Sequence, residues 1–557
     1  MTLATRTVTL PGGLQATLVH QPHADRAAAL ARVAAGSHHE PSRFPGLAHL
    51  LEHLLFYGGE RYRDDDRLMG WVQRQGGSVN ATTLARHSAF FFEVAADGLA
   101  DGVARLQEML QAPRLLREDI QREVAVIDAE YRLIQQHEPS RREAAVRHAA
   151  SAPAAFRRFQ VGSADALAGD LPALQAALRD FHRTHYVARR MQLWLQGPQS
   201  LEALGELAAR FAVGLAAGEA PPPAPPLRLG ESTALQLAVS SQPALWRCPL
   251  IALSDNVTLL REFLLDEAPG SLMAGLRQRG QAQEVALSWL YQDRHVGWLA
   301  LVFASDRPEQ VDQQITHWLQ ALRQTTPDQQ QHYYQLSRRR FQTLSPLDQL
   351  RQRAFGFTPG GPPVGFADFC AALQAAPTVS LACQTISPGE PVATQGFSLP
   401  LSRWWRRPVS DPALEFAFIR KPLAASPRKT RRKPRRCSIS RHRASRRGSC
   451  SDRPSTARPI WPKGWRAGNS CARCSPRCAT PGAAASGIAS TAAGSCSCSG
   501  QRPADGRWRF CRPLCGSSRS RSPRWPRRRR VLLSVISWLC SPIGWAHQSI
   551  RKVGWRP

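Results

Sequence analysis

His49-Leu50-Leu51-Glu52-His53 sets two imidazoles and a carboxylate within one short stretch. On a helix, positions i and i+4 share a face, so His49 and His53 can hold one metal ion between them. Two neutral imidazoles and a carboxylate are donors that zinc hydrolases use, with a fourth position left open for water. Glu52 follows His49 by three residues and lies on the same side, between the histidines, so a third ligand must come from elsewhere. The stretch Arg122-Glu123-Val124-Ala125-Val126-Ile127-Asp128-Ala129-Glu130 supplies candidates. Glu123 and Glu130 are two helical turns apart and project on one face, whereas Asp128 points away. So short a pattern also arises by chance. Here, however, Leu50, Leu51, Leu54, Leu55 and Phe56 make the helix largely apolar, and ionisable groups on a buried helix are costly unless coordinated or paired.

The surrounding elements must position these groups. Residues 6–36 read as a strand, a Pro11-Gly12-Gly13 turn, a second strand and a third over Ala28 to Ala35. An apolar helix follows Pro45, roughly Leu47 to Phe56. A second helix spans about Asp65 to Gln75, acidic at its start, and Gly76-Gly77 ends it. Ser78 to Thr83 and Ser88 to Val94 read as adjacent strands. Helices are expected over roughly 97–111, 116–136, 171–185 and 200–213, with a strand at Met191 to Leu195. Strands followed by segregated helices indicate an α+β fold with mostly antiparallel pairing. After the Pro221–Pro226 run the pattern restarts. Strands are expected at Ala234 to Val239 and near 284–290 and 298–304, with helices over Leu259 to Leu265 and Glu309 to Leu322. This weak echo lacks any His/Glu cluster, as a structural copy would. The expected organisation is a metal-binding domain at 1–215, a Pro-rich linker at 216–230, a second, non-catalytic domain at 231–420, and a basic tail at 421–557.

Charge separates that tail from the rest. The 557 residues carry a net +31, yet from Lys421 to Pro557 there are 32 Lys and Arg against only Asp452 and Asp505. The first 420 residues hold 41 bases and 40 acids. Ten of the 13 cysteines also fall in the tail. The earlier three, Cys248, Cys370 and Cys383, are widely spaced and fit a reducing cytoplasm. No apolar leader opens the chain, and Val531 to Cys540 is too short for a membrane span, so no membrane partner is expected. The tail has no sustained apolar period and is rich in Arg, Ser, Pro, Ala, Cys and Trp. Those are the residues that GC-rich codons give out of frame, so a disordered segment in a non-native reading frame is expected. Arg528-Arg529-Arg530 with interleaved tryptophans, or Cys471, Cys474 and Cys478 as a zinc knuckle, are weaker readings, and nucleic acid is not an expected partner.

The first 405 or so residues resemble the pitrilysin/insulinase zinc peptidases, the inverzincins, whose metal motif is His-x-x-Glu-His. The resemblance extends from Gly36-Ser37-His38-His39-Glu40-Pro41 through Gly46-Leu47-Ala48 to Leu54-Leu55-Phe56-Tyr57-Gly58 around the motif. It includes Gly77-Ser78-Val79-Asn80-Ala81-Thr82, similar to the family's active-site edge strand, and the Arg122–Glu130 helix. Leu68-Met69-Gly70-Trp71-Val72-Gln73-Arg74 and Phe90-Phe91-Phe92-Glu93 look most like a bacterial branch that serves biosynthesis of pyrroloquinoline quinone (PQQ).

The resemblance implies two similar pitrilysin-type α/β domains with antiparallel-rich sheets. It implies a Zn²⁺ cofactor held by His49, His53 and Glu130, with Glu52 as general base and Glu123 orienting a ligand or the water. Asn80, Ala81 and Thr82 would offer backbone hydrogen bonds to an extended peptide. His38 and His39 read as loop histidines outside the metal set. The implied substrate is a small PQQ precursor peptide. Full-length relatives carry a second half that supplies an Arg and a Tyr, and no position here can be assigned those roles. A half-molecule that is inactive, or works with a second peptidase-like subunit, therefore stands as an alternative, beside nucleic-acid binding through the tail.

Overall fold

The computed structural model describes residues 3–231, 233–387 and 389–418. The expectations for the tail, including its disorder, its reading frame and the Cys471, Cys474 and Cys478 group, lie outside these residues.

The first half builds a six-stranded sheet. Its strands are β1 (Ala4–Thr9), β2 (Gln15–His20), β3 (Arg26–Val33), β4 (Ser78–Thr83), β5 (Ser88–Ala95) and β7 (Met191–Gly197), in the order β1-β2-β7-β3-β5-β4. Gly12 and Gly13 take φ of +79° and +93°, the left-handed conformations that let β1 turn back antiparallel onto β2. Around this sheet lie α1 (Leu47–Leu55), α2 (Leu68–Arg74), α3 (Leu99–Gln111), α4 (Arg117–Ile134), α5 (Glu138–His148), α6 (Ala164–Leu167), α7 (Leu171–His185) and α8 (Leu201–Ala212). Helix α2 starts later than expected because Asp64–Asp66 form a separate 3₁₀ turn before it. A short ribbon pairs β6 (Ala150–Ala152) with β8 (Arg228–Leu229).

The second half repeats the plan. Strands β9 (Ala234–Ala238), β10 (Ala244–Ala252), β11 (Glu284–Gln292), β12 (Val296–Ala304), β13 (Thr378–Gln384), β14 (Pro391–Thr394) and β15 (Phe397–Arg403) form a sheet ordered β11-β12-β10-β13-β9-β15-β14. Its helices are α9 (Asn256–Leu264), α10 (Leu272–Gln278), α11 (Pro308–Leu322), α12 (Pro327–Gln342), α13 (Pro346–Phe355) and α14 (Phe366–Ala375). The run β9-β13-β10-β12-β11 matches β2-β7-β3-β5-β4 in order and in sense. Each contains one parallel pair, β2 with β7 and β9 with β13, among antiparallel neighbours. The place that β1 fills beside β2 is filled beside β9 by β15, which comes from the other end of its half, with β14 beyond it at the edge. Helix α9 occupies the place of α1 and carries no histidine.

Each sheet has its helical layer on one face and a borrowed helix on the other. Strand β5 alternates: Phe90 and Phe92 enter the core beneath α1, α3 and α8, while Ala89 and Phe91 face the opposite side. There, Leu347, Leu350 and Ala354 of α13 cover Ala28, Leu30, Phe91 and Trp194. Glu93 receives the Leu347 amide at 3.1 Å, and Gln196 donates to Gln349 at 2.9 Å. The debt is returned by α5, whose Ala144, Ala145 and Val146 cover Trp246, Cys248, Leu381 and Cys383 of the second sheet. Each half therefore buries a face that its own helices leave open.

Leu350 is fully buried at this junction. Leu350→Ala is expected to destabilise the folded chain by about 2–5 kcal/mol, read from its urea unfolding curve. An unchanged midpoint would show that α13 does not cover the first sheet.

Candidate metal centre

Helix α1 is buried on nearly every side. It packs against α4, β4 and α7, and His49 and Glu52 are only 5% and 4% exposed. Two features hold its entry. Gly46 has φ of +93°, and a Cβ there would lie 2.3 Å from the Cα of Gly162, itself at φ +90°. The glycine pair lets the segment around Val161 press against the start of α1. The buried Glu40 carboxylate caps the same end, accepting the Gly46 and Ala48 amides at 2.9 Å each.

This contact fixes the first imidazole. His49 Nδ1 donates to the Val161 carbonyl at 2.7 Å; a carbonyl only accepts, so the proton is on Nδ1 and the Nε2 lone pair is free. His53 is fixed by α4. The spacing of Glu123 and Glu130 puts one carboxylate at each ring nitrogen: Glu123 Oε2 accepts from Nδ1 at 3.0 Å, and Glu130 Oε2 lies 3.7 Å from Nε2. Glu130 Oε2 is also 3.7 Å from His49 Nε2. That is too long for a hydrogen bond, and close to the ~3.3 Å separating ligand atoms that share a tetrahedral ion through ~2 Å bonds. The three donor atoms lie within 4.8 Å of one another, the one such grouping among the described residues. His49 Nε2 and Glu130 Oε2 are buried without a hydrogen-bond partner. Buried polar atoms are rarely left so, and a cation satisfies both.

Electrostatics follow the geometry. Burial, then the neighbouring His53, holds His49 down to about 3, so it stays a neutral donor. Burial works against a charged His53, but its hydrogen bond to Glu123 and the charges of Glu130, Glu123 and Glu52 outweigh it and raise its pKa. Burial disfavours the Glu123 carboxylate, yet hydrogen bonds from His53 and from the Tyr57 hydroxyl (2.6 Å) bring its pKa below the usual range. Burial raises Glu52 to about 7, with the Glu130 charge adding, against His53 and a 2.6 Å hydrogen bond from the Thr83 hydroxyl. A carboxyl placed near neutrality can both take and return a proton.

Strand β4 ends the sheet beside Glu52 and leaves one backbone edge unpaired. Asn80, Ala81 and Thr82 lie on it. The Ala81 amide that faces away from β5 is held at 2.8 Å by the Asn80 side chain. His38 and His39 sit in a 3₁₀ turn, Ser37–His39, outside the donor group. His38 packs against Phe156 and Tyr291, and Nδ1 of His39 accepts the Gly36 amide. The parts that Tyr57, Thr83, Glu40 and the Val161 carbonyl play in the site escaped the sequence reading. Tyr57 alone had a local signal, four residues after His53 on the same helical path.

Residues 15–163 match the insulinase family (peptidase family M16), and residues 249–381 match the family described as PQQ synthase PqqF, N-terminal lobe domain 2. The coenzyme PQQ synthesis protein F of Klebsiella pneumoniae is 93% identical over 418 residues, 75% of this chain and 55% of that protein. The protein of the same name from Pseudomonas aeruginosa is 42% identical over 62% of this chain and 46% of its own length. The chain thus spans about half the length of these relatives. Pitrilysin's crystal structure superposes with a TM-score of 0.60 at 20% identity, over 72% of this chain and 47% of its own.

Glu123→Ala is expected to weaken Zn²⁺ binding by about 10–100-fold, measured by competition with a chromogenic chelator, because His53 loses the partner that orients it. Unchanged affinity would mean that Glu123 plays no part in holding the ligand.

Proposed function

The chain belongs to the insulinase/pitrilysin peptidase family, and we propose that its first half is a zinc-dependent endopeptidase centre acting on a small precursor peptide in PQQ biosynthesis. The observation that carries this reading is the convergence of three donor atoms, two of them buried and without a hydrogen-bond partner, on one point beside an unpaired strand edge. His49, His53 and Glu130 would hold the Zn²⁺, which when bound supplies a Lewis acid that polarises a carbonyl and acidifies water.

The chain's own residues do the rest. Val161 and Glu123 hold the two imidazoles in the tautomer that presents Nε2. The Thr83 hydroxyl holds Glu52 Oε2, leaving Oε1 to take a proton from the attacking water and return it to the leaving amine. The edge of β4 accepts an extended peptide as a further strand, and the Ala81 amide exchanges its Asn80 partner for a peptide carbonyl. The relatives' names support the PQQ precursor as the substrate.

Glu52→Gln should abolish cleavage of the precursor peptide, followed by mass spectrometry, while elemental analysis still finds one zinc per chain. Loss of metal together with activity would make Glu52 a ligand and overturn its role as base. His49→Ala should instead remove the zinc; metal content equal to the unsubstituted chain would sink the ligand assignment.

A further inference from the structure

Beyond β4 lies a cavity of about 1190 Å³, walled by both halves of the described fold. Thr82, Thr83 and Val161 line it, so it opens onto the residues that hold Glu52 and His49. Its volume exceeds that of most small-molecule pockets and suits a stretch of peptide. Its wall carries eight arginines against three carboxylates.

The carboxylates are largely committed. Glu143 pairs with Arg147 at 2.5 Å. Asp293 accepts the amides of His295 and Val296 at 2.7 and 2.9 Å and the Tyr291 hydroxyl at 3.1 Å. Asp255 packs beside Gly360. Of the arginines, Arg147 is paired with Glu143 and Arg261 with Glu262. Among the described residues, no carboxylate lies within ion-pair distance of Arg32, Arg86 or Arg353. Arg32 donates instead to the Ala354 carbonyl and the Gln192 side chain and lies over Trp194. Arg86 reaches only the Pro222 carbonyl, at 3.3 Å. Nε of Arg353 and both Nε and Nη1 of Arg147 are buried with no hydrogen-bond partner. Like charges so gathered repel, and burial first, then the neighbouring arginines, lowers the pKa of His87 and His39. The arrangement persists at a cost that a bound anion removes.

We propose that this cavity is an anion-reading subsite of the peptidase centre, where Arg86 and Arg353 take the side-chain carboxylates of an acidic stretch of substrate whose neighbouring residues lie along β4. The inference rests on the peptidase reading and adds the substrate class, a peptide carrying acidic residues close to the segment that meets Glu52. Arg353 stands on α13 and Arg86 on the turn between β4 and β5, so the second half and the edge strand grip the peptide together.

The test uses the full-length Glu52→Gln chain, so that binding is read without cleavage. Two fluorescein-labelled decapeptides are titrated by anisotropy at low salt, one with two Glu and one with Gln in their place. The Glu peptide should bind about tenfold or more tightly, as charge-assisted hydrogen bonds to carboxylates give. That preference should vanish in Arg86→Gln/Arg353→Gln and return in part in Arg86→Lys/Arg353→Lys, with zinc content and melting midpoint unchanged in both. Equal affinities overturn the proposal. So does a preference that survives the Gln pair, since it then arises elsewhere, as in the basic tail. A ten-nucleotide oligothymidylate whose binding depends on the same arginines and displaces the Glu peptide would assign the cavity to phosphate polyanions and overturn it too. Cleavage of both peptides by the unsubstituted chain with equal kcat/KM would leave the peptidase reading standing and remove the subsite. Preferential binding of the Glu peptide with no cleavage of either would do the reverse.

Discussion

His53 stands between two carboxylates of one helix, and the rest of the first half serves to keep it there. Glu123 and Glu130 can reach both ring nitrogens only if α1 and α4 cross at His53. The first imidazole in turn requires close backbone approach at the start of α1, where Gly46 and Gly162 let the Val161 carbonyl reach His49 and the Glu40 cap secures the turn. The crossing also requires α1 to be sunk in the core. Burial supplies the low dielectric in which a misplaced charge is expensive, so the same constraint that positions the donors penalises every arrangement that leaves them unpartnered.

Much of this was legible in the residues. The i, i+4 spacing of His49 and His53 and the two-turn spacing of Glu123 and Glu130 are local facts of helix geometry, and α1 and α4 lie close to where periodicity put them. Strand β4 was legible because Gly76-Gly77 and alternation bracket it. The supporting contacts were not. Thr83 meets Glu52 across 31 residues and Val161 meets His49 across 112. Such contacts are set by tertiary packing, and a carbonyl oxygen leaves no mark in a sequence. Helices α12 to α14 also went unread. For α13 the amphipathic stripe is broken because it packs under its neighbour's sheet while its C-terminal end lines a cavity.

Charge shows a different kind of concealment. The first 420 residues are almost neutral in sum, and that sum does not say where the charges sit. In three dimensions the balance is local only where partners meet. Carboxylates are spent on α1, α4 and the helix caps, while unpaired guanidinium groups gather around one cavity. Neutral composition is thus compatible with a strong internal field, and fields of this kind select which ligands enter a site.

The reciprocal loan of helices bears on the order in which the chain is made. All six strands of the first sheet have left the ribosome by Gly197, but the helix that shields Leu30, Phe91 and Trp194 ends at Phe355. At ordinary elongation rates the delay is on the order of ten to thirty seconds. During that interval the nascent first half carries an open apolar sheet face, and α5 carries another with no sheet to cover. Such a chain calls for a holding chaperone at the tunnel exit, and a ribosome that pauses within the second half prolongs the stage at which the product is most easily lost to aggregation.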